Sequence, residues 1–331
     1  MKTFRQFSNH VVTALVCGLT AAAVLLLAFV LFFIVKEALP LFDTVGVSDF
    51  LLGQKWMPVD YTGVTSFGIF NFIAATVYIS LTGLVLAAGI GLGTAVFLAF
   101  QATPRQRTVL YPLIDLLAGI PSVIYGFIGL SVLVKLFLKA GVHTGSCVLA
   151  AGILLAVMLL PYLVSSCSDT MVKEWDKYRE ASAALGISDW YAAATMILPA
   201  SMPNILMSMV LAVGRAMGET MAVMMVMGNA NLFPKLLGKS ESIASVIALE
   251  MGTAVYGSPH YHALYAAGLV LVLLLLVINL GIHMLRRRLL EGNLPWKTEK
   301  FMDAAQVFLV SAAEEEIAKE QETVRQGGKK V

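Results

Sequence analysis

The chain has 331 residues, of which 58% are hydrophobic and 13% charged, with a formal net charge of +2. Mean hydropathy is +0.81. A soluble domain carries about 25% charged residues, so an ordinary soluble enzyme and a disordered chain are excluded. The small net charge excludes a nucleic-acid binder, which needs a basic surface.

The first apolar run, Val11–Val35, has no charge. As a helix it would reach ~37 Å, enough to cross a ~30 Å hydrocarbon core. It is too long for the apolar part of a signal peptide, so an uncleaved anchor is expected. Further apolar runs are Asn71–Phe100, Leu110–Val134, Ser146–Cys167, Pro203–Gly228 and Tyr261–Leu285. In lipid every backbone group must be bonded internally, and no period-two alternation suggests a barrel. The pattern therefore predicts an all-α membrane protein with six transmembrane helices in lipid. Residues 1–290 form the membrane domain, and 291–331 form an acidic tail holding eight of the 21 acids.

Orientation follows from lysine and arginine. With the N-terminus inside, the inner segments hold ten, ending in Arg286, Arg287 and Arg288, against six outside. Both termini are thus expected in the cytoplasm. Outside, Lys36–Phe70 reads as loop with a short interfacial helix, and Asn229–His260 as loop. Glu250 in that loop reads as a solvated charge or a contact to a gate or delivery protein. In the tail, Phe301, Ala305, Phe308 and Ala312 recur at helical spacing.

Cys17, Cys147 and Cys167 are odd in number and far apart, and no CxxC or HExxH occurs, so neither a disulfide framework nor a metal site is expected. No cofactor is expected either. Gly238-Lys239-Ser240 resembles the end of a phosphate-binding loop, but that loop needs glycine where Phe233 stands. Any ATP hydrolysis must reside on a partner subunit. Gly89 and Gly93 form a GxxxG pair expected to pack helices. The histidines read as isolated or solvated.

The inner segment of about 168–202 is long for a mere connection. Met171, Trp175, Tyr178, Ala181 and Leu185 recur at helical spacing. Gly186 suits the position after a helix end. Ser188 can cap a second helix, which Pro199 is expected to end. A helix–turn–helix able to dock into a partner groove is the reading from the residues. Its Glu180-Ala181-Ser182, Gly186, Met196 and Leu198-Pro199 resemble the EAA motif of ABC-importer permeases (E-A-A-x3-G-x9-I-x-L-P), with Ser182 and Met196 as mild departures. That resemblance implies the type I importer permease fold. It also implies a coupling helix in which Glu180, Ala181, Gly186, Leu198 and Pro199 engage a separate ATPase.

The other signal is Gly214-Arg215-Ala216-Met217-Gly218-Glu219-Thr220, inside the fifth apolar run. A charge at mid-membrane costs at least ~2.5–3.5 kcal/mol. At i,i+4, Arg215 and Glu219 would share a helix face and pair. A guanidinium fork suits phosphate-like oxyanions. Asp115 precedes a break expected at Gly119 and Pro121. It is read as bonding backbone freed by that break, or as a pore carboxylate.

The string GRAMGETMAVMMVMGN resembles phosphate-importer permeases of the PstC type. So do residues 115–126 (DLLAGIPSVIYG), together with Trp56, Pro58, Phe67-Gly68 and Thr76; the likeness spans roughly residues 10–290. It implies phosphate as substrate, with Arg215 and Glu219 on its path. The implied partners are a PstA-type permease, a PstB-type ATP-binding dimer and a PstS-type phosphate-binding protein. The alternatives are a permease for another oxyanion, such as molybdate or sulfate, and an ATP-independent secondary transporter.

Overall fold

The computed structural model describes residues 2–58, 65–186 and 188–291. The tail, with its expected helix across Phe301–Ala312, lies outside them. Among the described residues, six helices are long and apolar enough to cross a membrane. Apart from one two-stranded ribbon, the regular structure is helical.

Helix α1 runs Lys2–Ala38. Its side chains from Val12 to Phe32 are all exposed, as befits a helix apolar on every side and surrounded by lipid. It leans on the last helix where Phe33 meets Tyr265 edge-on, ring centres 5.7 Å apart. The outer connection is more ordered than a loop. A 3-10 turn (Leu39–Asp43), α2 (Val47–Leu52) and strands β1 (Trp56–Met57) and β2 (Ser66–Phe67) precede α3. The strands are antiparallel, with Trp56 opposite Phe67.

Helix α3 (Phe70–Val96) continues through a π-helical turn, Phe97–Gln101. Its main partner is the long α7 (Val148–Ala184). Gly83, Ala87, Gly91 and Ala95 are buried along α3 at spacings of four, a stripe that lets backbones approach. A Cβ at Gly83 would lie 2.9 Å from that of Leu155, and one at Gly152 would lie 2.7 Å from Thr82 Cγ2. The expected Gly89/Gly93 pair does not serve this purpose, because neither glycine has an atom within 4 Å of an added Cβ. The interface is set by the neighbouring face, that of Gly83, Ala87, Gly91 and Ala95.

The third apolar run is not one helix. Helix α4 (Pro104–Gly119) stops, Ile120 is extended (ψ 126°), and after Pro121 come α5 (Ser122–Ile128), a π-helical turn (Gly129–Leu133) and α6 (Val134–Lys139). The membrane-length stretch is Ser122–Lys139 rather than Leu110–Val134. The cause is local: a residue before proline is disfavoured in the α region, and Pro121 has no N–H for the Leu117 carbonyl. The Tyr125 hydroxyl donates to that carbonyl at 2.8 Å. Asp115 does not repair the break; its side chain is exposed.

The fifth run is also divided. Helix α8 (Asp189–Ala192) passes through a π-helical turn (Ala193–Ile197) into α9 (Leu198–Met217). After Gly218 to Thr220, α10 (Met221–Met227) begins. Helix α11 (Ile243–Glu250) and α12 (Pro259–Glu291) complete the chain. Pro199 does not end a helix as expected. It sits inside the continuous helical stretch Asp189–Met217, where the π-helical turn passes into α9.

Candidate functional site

Two regions carry the residues singled out from the sequence: the break in the fifth span and the inner hairpin. At the break, Arg215 occupies the last turn of α9, and Gly218 caps it. A cation there complements the carbonyl end of the helix. Glu219 lies between the two helices, two residues ahead of the next one. Its Oε1 accepts from the Ala222 N–H at 3.2 Å, as a side-chain cap on α10. The Thr220 hydroxyl donates to the Gly218 carbonyl at 3.2 Å.

The expected Arg215–Glu219 pair is therefore absent. The two residues are not on one continuous helix, and no ion pair joins them among the described residues. The helix ends account for both charges separately. Arg215 is exposed. An unpaired guanidinium facing lipid would carry the full mid-membrane penalty.

Helix α5 lies directly against α10. A Cβ at Gly126 would fall 2.8 Å from Met225 Sδ and 3.0 Å from Ala222 Cα. At Gly129 it would meet Val226 and Leu154, both under 3.0 Å. The fold thus brings the Pro121 break, Tyr125 and the Arg215 break into one neighbourhood, while Asp115 lies on the far side of Pro121. Tyr125 was not marked from sequence, although a tyrosine one helical turn after a proline is a signal for carbonyl repair.

At the inner face, α7 extends without interruption from the membrane to Ala184. Leu185 N–H donates to Ala181 O, and Gly186 N–H to Ala183 O at 3.1 Å. Gly186 has φ +66°, the left-handed region that glycine enters without cost. Ser188 Oγ accepts from Tyr191 N–H at 3.4 Å, as the capping expectation required. The arm is anchored by buried Met171, Tyr178, Ile197 and Ile205, which meet Ala95 and Ala99 of the α3 end. Phe100 and Trp175 add an edge-on contact with centres 5.7 Å apart. Glu180 is exposed, Ala181 and Leu198 are half-buried, and Trp190 and Tyr191 are each 60% exposed. The aromatic pair was not singled out from sequence; its signal was two large rings directly after a helix cap in a segment facing the cytosol.

The outer face carries a third polar cluster. Trp56 Nε1 donates to Glu250 Oε2 at 2.9 Å, and His260 Nε2 lies 2.8 Å from the same oxygen. His262 Nδ1 is 2.7 Å from the Glu37 carbonyl oxygen. Asn71 Nδ2 donates to Asn231 Oδ1 at 3.0 Å and to Gln54 O at 3.1 Å. Glu250 and these histidines are therefore bonded structural groups, not isolated or solvated ones. Burial, then the charge of Glu250, raises the Glu241 carboxyl to about 7. Among the described residues, no group of three or more histidine, cysteine or acidic side chains could hold a metal.

Known proteins place this geometry. Residues 89–291 match the family described as binding-protein-dependent transport system inner membrane component. A Bacillus subtilis protein named probable ABC transporter permease protein YqgH is 36% identical over 278 residues, covering 81% of this chain and 89% of that one. The phosphate transport system permease protein PstC of Xylella fastidiosa is 33% identical over 307 residues, covering 83% and 91%. The probable PstC of Methanocaldococcus jannaschii is 31% identical over 283 residues, covering 80% and 88%. Among solved structures, the inward-facing MetNI methionine ABC transporter matches with TM-score 0.53 and 16% identity, over 66% of this chain and 94% of that one. That likeness concerns the fold alone.

The chain belongs to the inner-membrane permeases of binding-protein-dependent ABC importers. It is a multi-pass inner-membrane protein and not itself an ATPase; such a permease works with an ATPase and a binding protein.

Proposed function

We propose that this chain is the PstC-type half of a phosphate importer, with both termini in the cytoplasm. A PstA-type permease would form the other half, a PstB-type dimer would hydrolyse ATP, and a PstS-type protein would deliver phosphate. The observation that carries the reading is Arg215, an exposed guanidinium at a helix break inside the string shared with that family. Relatives named PstC at 31–33% identity support the same cargo.

In this mechanism Arg215 offers two N–H donors to a phosphate oxygen pair as the anion passes. Glu219 acts by holding the start of α10 and so fixing the break. Its carboxylate also stands close in sequence to the guanidinium, so a passing anion meets both signs of charge and is not trapped. Binding is weak, because selection rests with the delivery protein. At the inner face the hairpin takes up the motion of the ATPases through Glu180, Ala181, Gly186, Leu198 and Pro199. Closure of the ATPases turns an inward-facing bundle outward, an alternating-access cycle.

Uptake of labelled phosphate by cells relying on this system tests the cargo. Phosphate uptake should resist a tenfold excess of molybdate or sulfate. Competition by either at equal concentration would replace phosphate with that oxyanion.

A further inference from the structure

A second polar groove, of about 500 Å³, lies between α4 and α7, away from the Arg215 break. Helix α4 lines it with Arg107, Tyr111 and Asp115, each four residues apart. Helix α7 answers with Ser165, Asp169 and Lys173, again four apart. Two stripes of that period on facing helices make one continuous cleft.

Register decides what the cleft can bind. The Tyr111 hydroxyl donates to Ser168 Oγ at 3.2 Å. Stepping away from that bond along two antiparallel helices brings Arg107 level with Val172 and Lys173, at the end nearer the hairpin. Asp169 lies one turn deeper and Asp115 two turns deeper. The mouth therefore holds two cations on the lining of one groove. Neither makes an ion pair with a carboxylate among the described residues. Arg107 is held in place: its Nη2 donates to the Ala99 carbonyl at 2.7 Å, and its Nε is buried without a hydrogen-bond partner. Two like charges at one level repel unless an anion sits between them. The acids below stop that anion from moving deeper.

We propose that Arg107 and Lys173 form a binding site for a phosphoryl anion at the cytoplasmic mouth of this groove, filled by an acidic phospholipid headgroup or by free phosphate. Basic pockets between spans on that side of the membrane suit such headgroups. The site rests on the orientation proposed above, but not on phosphate as the cargo. It is separate from Arg215.

The test is thermal unfolding of the full-length chain in detergent, with three additions: short-chain phosphatidylglycerol, the matching diacylglycerol, and inorganic phosphate. Phosphatidylglycerol or phosphate should raise the Tm, and which of them does so identifies the source. The diacylglycerol should not. Lys173→Gln should raise the half-saturating concentration about tenfold, the loss of one charge-assisted bond, and Lys173→Arg should restore it. Arg107→Gln should act like Lys173→Gln; if it does not fold, Lys173→Gln decides alone. No shift with either phosphoryl compound, or a shift that survives Lys173→Gln, overturns the site. A phosphate response lost in Arg215→Gln alone would move it to the break in the fifth span.

Discussion

At the outer face, Trp56 of the ribbon and His260 of α12 meet on one oxygen of Glu250, at the end of α11. At the inner face, the side-chain hydrogen bonds among the described residues of 178–198 all join groups three or four positions apart. By side-chain hydrogen bonds the first region links distant parts of the chain and the second only neighbours, while the second is tied to the rest of the fold through apolar packing of Tyr178 and Ile197 on Ala95 and Ala99. Outer burial follows the same pattern, with Phe50, Phe72 and Ile243 sharing one core. The inner hairpin instead leaves Trp190 and Tyr191 at its tip, each 60% exposed. A face that completes its own contacts can hold its shape through a transport cycle. Under the proposed function, the uncovered rings of the hairpin meet the ATPase.

Variants can break this contrast. The largest effect is expected for Trp190→Ala combined with Tyr191→Ala. Buried interface aromatics cost ~2 kcal/mol or more each when truncated, so ATPase affinity should fall on the order of a thousandfold. Thermal stability of the permease alone should change by about 0.5 kcal/mol or less. Co-purification with the ATPase and unfolding of the free chain measure the two separately.

Glu241 gives the next effect, on the outer face alone. Its carboxyl is raised in the folded protein to about 7. The folded state therefore holds the proton more tightly than the unfolded state does. The stabilisation is complete below the ordinary carboxylate range and is lost as pH rises through about 7, by roughly 3 kcal/mol. Glu241→Gln should flatten Tm between pH 5 and 8 relative to the wild type. An unchanged slope would assign the pH dependence to other groups. The smallest effect is Trp56→Phe, which removes one hydrogen bond to Glu250 and should cost about 1–3 kcal/mol. It should leave ATPase binding unaffected, as the separation of the two faces requires.

The legible parts of the sequence were those set by local rules. Lipid demands apolar runs about a membrane long, so the spans stood out. Gly186 and Ser188 mark a turn and a cap by conformations that few other residues favour. Pro121 announced its break. The break after Gly218 was hidden, because Arg215 and Glu219 at i,i+4 imitate a helical ion pair and no proline intervenes. The outer cluster was hidden for another reason: Trp56 and Glu250 are 194 positions apart. No periodicity records such a contact. The same limit explains why Gly83 and Gly152, on different helices, escaped notice while the Gly89/Gly93 pair, four apart on one helix, misled.

The most direct measurement is ATP-driven phosphate uptake by membrane vesicles carrying Arg215→Gln, with ATPase co-purification from the same preparation. Uptake should fall to background while the ATPase stays bound, as the role proposed for the guanidinium requires. Uptake at the wild-type rate would remove Arg215 from the pathway and contradict the central claim.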